Sequence, residues 1–329
     1  MPTFCRHNRF IERCPICSKT LPGLAPPAPK PPAGGAARRR AGGARKRRPR
    51  GVDLRVSREQ RAEDDGYRSA LVPGLRSSAD AALLSEEISF ASGRLLALGA
   101  APPGIYAEIR SRAEEDLERA TWMCFLTAYL SPLEGEQPFL GIRAILSDAK
   151  GPADVQSLEE IPLGPRTSHN PGRGSETLLA YRHWVEQAGG GSQAKAFAGD
   201  PEWSPRRRFE RLFERLALPG LARMGRYDLL VTLGRLGLYE LRADSLHFTA
   251  RGPAGGDPTT VAAKRAFAIG DPLLLERRAL ALAEAIATPV ETLDLALANW
   301  GAGERATLGF RADIHDNHVL ERAHEALEL

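Results

Sequence analysis

In the segment FERLFERL, Phe209, Leu212, Phe213 and Leu216 recur at i, i+3, i+4 and i+7, which puts an apolar stripe on one helix face with Arg and Glu on the other. The stripe runs directly into Leu218-Pro219-Gly220, a turn that opens a second apolar-rich segment, LARMGRYDLLVTLGRLGLYEL. Asp271-Pro272 opens a further helix, LLLERRALALAEAI, with proline at the first helical position. Thr288-Pro289-Val290-Glu291 offers a capping hydroxyl, a proline at the next position and a glutamate three residues after the cap, and Gly301 stands where that helix should stop. Such punctuation calls for short helices joined by tight turns, so the predicted fold class is mostly α. Between these helices GLYELRADSLHFTA alternates weakly, and a small hairpin is expected there.

Helical patterning begins near Ser77. It covers ADAALLSEEISFASGRLLAL and then AEIRSRAEEDLERATWMCFLTAYL, which is almost wholly apolar from Ala120 until Ser131 and Pro132 end it. The second run is expected to be one central helix, with Cys124 packed in the core. Leu140 to Leu146 predicts a short helix. GPADVQSLEEIPLGPRTSHNPGRG holds too many prolines and glycines to be regular and is long enough to be functional. The apolar run Trp122 to Leu130 is far short of the roughly 20 residues of a membrane span. The polar start MPTFCRHNRF lacks a secretory pattern, so no membrane partner and a cytoplasmic location are expected.

Charge divides the chain. Residues 1–50 carry 13 Lys and Arg against one acid, Glu12, whereas the remainder holds 32 basic and 40 acidic residues. Residues 21–56 are rich in proline, glycine, alanine and arginine, a composition that cannot offset ordering entropy, and are expected to be a disordered basic linker. Its clusters Arg38, Arg39, Arg40 and Arg45, Lys46, Arg47, Arg48 suit any polyanion such as DNA without sequence preference and also resemble a localisation signal; a merely solvated tail is the competing reading. Residues 1–20 contain Cys5, His7, Cys14 and Cys17, three thiolates and an imidazole, the donor set of a closed structural zinc site. The competing reading is a loose tail of free cysteines. The expected organisation is therefore a zinc module (1–20), a linker (21–56) and a helical body (57–329).

The order of Leu-Pro-Gly turn, Asp-Pro helix and Trp-Gly helix end resembles helix-hairpin-helix DNA glycosylases. Over roughly residues 80–301 the chain is closer still to the alpha-glutamyl/putrescinyl thymine pyrophosphorylase family, built on that fold. The resemblance implies that Leu218, Pro219 and Gly220, with Gly225 and Arg226, grip a DNA phosphate through backbone amides. Ala222 replaces the glycine usual in that turn, and Met224 stands where bifunctional glycosylases carry a lysine, so no lyase chemistry is inferred. It also implies a catalytic aspartate at a helix start, which points to Asp271. That residue lies 53 positions after Leu218, about twice the usual spacing, and capping alone would also account for it. Asp228 and Glu176 are the secondary acid candidates. Tyr181, His183 and Trp184 are candidates to sandwich a flipped base, with Arg173 on a phosphate and His169 nearby. Asn299 and Trp300 suit either core packing or a ligand.

By this resemblance the chain would act on a flipped 5-substituted pyrimidine in DNA whose activating pyrophosphate is displaced by a small amine. No G-x-x-x-x-G-K-[ST] phosphate loop is present to make the activated group. The alternatives are a monofunctional DNA glycosylase excising a modified or damaged base, and a DNA-binding module without chemistry.

Overall fold

The computed structural model describes residues 62–149, 151–152, 154–155, 158, 161–249 and 256–329. Cys5, His7, Cys14, Cys17 and the basic clusters at 38–40 and 45–48 lie outside them. The described residues form twelve α-helices and no strand. They are α1 (Ser78–Ala100), α2 (Ile105–Glu115), α3 (Leu117–Leu130), α4 (Leu140–Asp148), α5 (Glu176–Gly189), α6 (Gln193–Ala198), α7 (Pro205–Arg215), α8 (Arg223–Arg235), α9 (Pro258–Phe267), α10 (Pro272–Ala285), α11 (Thr292–Ala302) and α12 (Asn317–Leu327). No described helix is long and apolar enough to cross a membrane.

The helices pack as two groups. In one, α3 touches α2, α4, α6 and α8, with α5 on α6 and α7 on α8; in the other, α1, α9, α10 and α12 surround α11 or one another. The groups meet where α1 touches α8. The centre of the first group is α3, in which Trp122, Cys124, Phe125 and Leu126 are fully buried. Burial raises the Cys124 thiol pKa far above its ordinary value, which leaves it a neutral packing group as expected. The single long helix expected over 107–130 is instead two. Asp116 breaks it, with φ −147° and ψ 84°, and its carboxylate caps α3 by accepting from Arg119 N at 2.9 Å. A second correction concerns α11, which starts four residues after Thr288. Thr292 N donates to Pro289 O and the Thr288 and Thr292 hydroxyls pair at 3.0 Å, while Glu291 turns away to Arg235 (3.0 Å from its Nε) instead of closing a capping box. The helix also passes Gly301 and stops at Gly303, which takes the left-handed φ of 71°. Gly301 serves packing instead: a Cβ there would lie 2.6 Å from that of Ala262 on α9.

Among the described residues of 237–250, which end at 249, the expected hairpin is absent, and the hydrogen bonds explain why. Side chains consume the backbone groups that strand pairing would need. Glu276 on α10 accepts from Leu246 N and Phe248 N, both at 2.8 Å, and Arg208, Tyr227 and Arg223 donate to the carbonyls of Glu240, Ser245 and Leu246.

Candidate functional site

The turn Leu218-Pro219-Gly220 joins α7 to α8, with Leu221 N donating to Leu218 O at 3.1 Å. Gly220 has φ +78°, and a Cβ on it would lie 2.1 Å from Thr177 Oγ1 and 3.6 Å from Arg173 Cδ. Only glycine meets both demands, so the turn lies directly against the start of α5. Gly225, in the first turn of α8, permits a similar close approach, since a Cβ there would lie 2.1 Å from Ser168 Oγ. The irregular segment before α5 is thereby held across the N-terminal end of α8. It is also fastened to the end of α3: Ser168 N and Thr167 Oγ1 donate to Tyr129 O at 2.9 and 3.1 Å, and Tyr129 OH pairs with His169 Nδ1 at 2.8 Å. Burial lowers the His169 pKa, so the ring is neutral near pH 7.

The exposed skin of this region is small and partly cationic. Pro219 and Ala222 are exposed, and Ala222 offers α8 no side-chain cap. Arg173, at the end of a 3-10 turn, is half exposed and lies 3.4 Å from Glu176, the first residue of α5. Arg226 donates to Phe213 O at 2.9 Å, with its guanidinium 4.4 Å from the Phe213 ring centre. Of the sequence candidates, the structure therefore brings together the turn, Gly225, Arg226, Arg173 and Glu176. Met224 is buried.

Directly beneath lies a chain of buried charge. Arg166, from the segment before α5, places Nε 2.9 Å from Asp228 Oδ2 and Nη2 2.7 Å from Asp294 Oδ2. Arg223 places Nη2 2.5 Å from the other Asp294 oxygen, and its Nε lies 2.9 Å from Asp257 Oδ1, an ion pair by distance without a well-aligned hydrogen bond. Asp257 in turn caps α9, accepting from Thr260 N at 2.8 Å. Burial would raise the Asp294 pKa, but Arg223 and Arg166 outweigh it and hold the carboxyl below its usual range. Burial likewise opposes the charge on Arg223, but Asp294 and Asp257 outweigh that effect and raise its pKa. The network ties the segment before α5, α8, α9 and α11 together under the turn. It also engages Asp228, whose two oxygens both accept from Arg166.

The proposed base sandwich needs correction. Tyr181 is fully buried, stacked on Phe125 with ring centres 3.8 Å apart, and its hydroxyl donates to Gln193 Oε1 at 2.7 Å. Trp184 packs edge-on to Phe197 in the same core, while His183 faces solvent. The three share no opening, because residues 181 and 184 lie on the buried face of α5 and 183 on the other.

Asp271 is exposed and caps α10, its Oδ1 accepting from Leu274 N at 3.0 Å. Its helix packs on α9, α11 and α12 and reaches the loop after α8 through Glu276. A different acid lies nearer α8. Asp244 stands 26 positions after Leu218, about half the distance to Asp271. It is exposed and has no hydrogen-bond or ion-pair partner among the described residues. Its neighbours fasten it beside α8: Ser245 O accepts from Tyr227 OH at 3.0 Å and Leu246 O from Arg223 Nη1 at 2.7 Å. His247 then takes φ +53°, a strained value for a non-glycine residue, and stacks on Phe213 with ring centres 4.1 Å apart. Burial first, then Arg223, lowers its pKa to about 4, so it is neutral at pH 7.

Several of these residues gave readable signals. Asp257 precedes a proline just as Asp271 does, and Asp294 is a lone acid in an apolar helix, a position that demands a buried partner. Arg166 gave none, since an arginine in an irregular segment is ordinarily solvated. Among the described residues no group of His, Cys, Asp and Glu could hold a metal ion. No curated protein and no solved structure matches the chain. Residues 167–311, which contain the turn, the Asp228–Arg223–Asp257–Asp294 cluster, Asp244 and Asp271, match the family model described as Alpha-glutamyl/putrescinyl thymine pyrophosphorylase clade 3, the family that the sequence resembles.

Proposed function

We propose that the protein is a DNA base-modifying enzyme of the pyrophosphorylase kind named by that family, acting on a flipped 5-substituted pyrimidine. In the proposed reaction the bond between the 5-methylene carbon and the pyrophosphate oxygen breaks, an amine nitrogen bonds to that carbon, and the amine then gives up a proton. The observation that carries the reading is that the matched stretch coincides with the tightly seated Leu218-Pro219-Gly220 turn and its cationic surroundings. In this reading the turn acts as a helix-hairpin-helix motif: the uncapped start of α8, with Arg173 and Arg226, takes a DNA phosphate. Asp244 is the acid best placed to receive the amine proton, being unpaired among the described residues and fastened beside α8. Asp271 and Glu176 are the other candidates. Cys5, His7, Cys14 and Cys17 hold a structural zinc, and the arm around Arg38–Arg40 and Arg45–Arg48 adds affinity for DNA.

The test is to incubate the purified protein with DNA containing 5-pyrophosphorylmethyl pyrimidines and an amine, then digest and weigh the nucleosides. A base heavier by the amine and lighter by pyrophosphate supports the proposal. An abasic site would assign the protein to the glycosylases instead, with the same carboxylate stabilising a sugar cation. Unchanged DNA that nevertheless binds would leave a binding module.

A further inference from the structure

The loop that carries Asp244 contains a backbone outlier. His247 takes φ +53°, a left-handed value that glycine alone adopts freely, and such strain persists only where the surroundings over-determine it. Here the surroundings are side chains from three helices. Tyr227 and Arg223 of α8 donate to the carbonyls of Ser245 and Leu246 at 3.0 and 2.7 Å. Phe213 of α7 stacks on the imidazole with ring centres 4.1 Å apart. Glu276 of α10 accepts from Leu246 N through Oε2 and from Phe248 N through Oε1, each at 2.8 Å.

The contact with Glu276 is the one that selects the conformation of residue 247. In an extended strand, amides two residues apart point the same way but lie roughly 7 Å from one another, too far for the two oxygens of one carboxylate. A left-handed residue between them turns both N–H groups into one concave nest, a shape suited to an anion. Glu276 therefore stabilises the left-handed state through two charge-assisted hydrogen bonds that an extended loop would lose. Its own position is rigid, because Leu275 and Ala279 on either side of it in α10 are fully buried. The φ of residue 247 also sets the direction of the planar peptide whose carbonyl, Leu246 O, accepts from Arg223. Relaxation at 247 would swing that carbonyl off Arg223 and loosen Ser245 and Asp244 with it.

We infer that Glu276 is the positioning residue of the proposed site: by holding His247 left-handed it sets the path of residues 244–248, and with it the place of the Asp244 carboxylate beside α8. The role rests on the reading that Asp244 receives the amine proton, whereas the hold on the loop rests on the geometry alone. Glu276 itself handles no reacting group. Its loss acts on the chemical step through Asp244 and leaves DNA binding unchanged, since the Leu218-Pro219-Gly220 turn is seated against Thr177.

The experiment compares the full-length wild type with Glu276→Gln, Asp244→Asn, Asp244→Asn/Glu276→Gln and Glu276→Gln/His247→Gly, by hydrogen exchange and in the DNA-modification assay. Glutamine keeps the shape but turns its own NH2 toward one of the two amides. Exchange in the peptide spanning residues 244–249 should quicken about tenfold or more in Glu276→Gln, and unchanged exchange overturns the hold on the loop. In the same variant kcat should fall roughly ten- to a hundredfold, as for a misplaced reacting group, while KM for DNA stays within about twofold. Glu276→Asp, which withdraws the carboxylate by one methylene, serves as a second variant with the same expected outcome. In the Asp244→Asn background Glu276→Gln should cost nothing further; equal losses in both backgrounds overturn the positioning role. His247→Gly admits the left-handed φ without strain and should recover most of the kcat lost in Glu276→Gln, and a loss it does not reduce overturns the part given to His247. If the wild type modifies no DNA, the proposed reaction falls, and the exchange data alone decide whether Glu276 holds the loop.

Discussion

Asp294→Asn tests whether the charge chain beneath the turn holds the helices together. The substitution keeps the shape of a side chain that is 1% exposed, but removes the one carboxylate that Arg166 and Arg223 share among the described residues. An amide oxygen can serve one of the two guanidinium groups, and its NH2 then faces the other. Breaking one partner of a buried pair costs about 3–5 kcal/mol, because the remaining charge is left desolvated. At ~2–4 °C per kcal/mol for a domain of this size, the melting temperature should fall by roughly 6–20 °C. Urea unfolding is the suitable assay, since a salt denaturant would screen the pairs. In a cycle with Arg166→Met the two losses should be strongly non-additive, because each breaks the same contact. The acid side adds a sign check. Asp294 has a depressed folded pKa, so its contribution is present above the unfolded value near 3.8 and is lost as pH falls through the folded value. The Asn variant should therefore lose less further stability between pH 5 and 3 than the wild type. A loss below about 1 kcal/mol with an additive cycle would refute the argument, since it would show the network to be solvent-relaxed.

Gly220→Ala should destabilise by about 1–2 kcal/mol from its left-handed φ alone, and more from contact with Thr177 Oγ1; adding Thr177→Ala should recover the contact contribution and leave the backbone contribution, as read by urea midpoint. Asp271→Asn should retain both melting temperature and product formation, because asparagine caps nearly as well as aspartate and the proposed acid is Asp244; loss of activity only in Asp271→Asn would reverse that choice. Purified protein should carry one zinc per chain by metal analysis, and less than about half an equivalent in folded protein counts against the Cys5, His7, Cys14, Cys17 site. Deleting residues 1–50 should flatten the dependence of log DNA affinity on log salt, while an unchanged slope would assign the arm another role.

What could be read in the sequence was what the chain decides locally. The stripe of Phe209, Leu212 and Phe213 and the Asp271-Pro272 start are settled within one or two turns, and they appear as α7 and α10. Reading failed where a distant group outbid a local one. Glu291 has the right spacing for a capping box but finds Arg235, which no window around Thr288 contains. The alternation in 237–250 suits a hairpin until Glu276, some 30 residues on, takes two of its amides. Tyr181 and Trp184 looked like a base platform because aromatics near basic residues suit nucleotides, yet α3 supplies Phe125 and Trp122, and core stacking uses the same faces.

The two aspartate–proline steps carry this furthest. Asp257 and Asp271 share one local signature, each preceded by glycine and followed by proline, and each caps its helix. Local chemistry cannot separate them, but their surroundings do. Asp257 is drawn inward by Arg223 and joins the charge chain under the turn, whereas Asp271 meets solvent. Capping therefore explains the position of both, and neither needs catalysis to account for it. Asp244 caps no helix and has no partner among the described residues, yet Tyr227 and Arg223 of α8 hold its neighbours in place through two backbone bonds. An exposed carboxylate with no partner among the described residues, on a backbone held beside α8, is free to reach a substrate proton as a general base must, so Asp244 is the residue whose replacement separates a reacting site from a well-capped bundle.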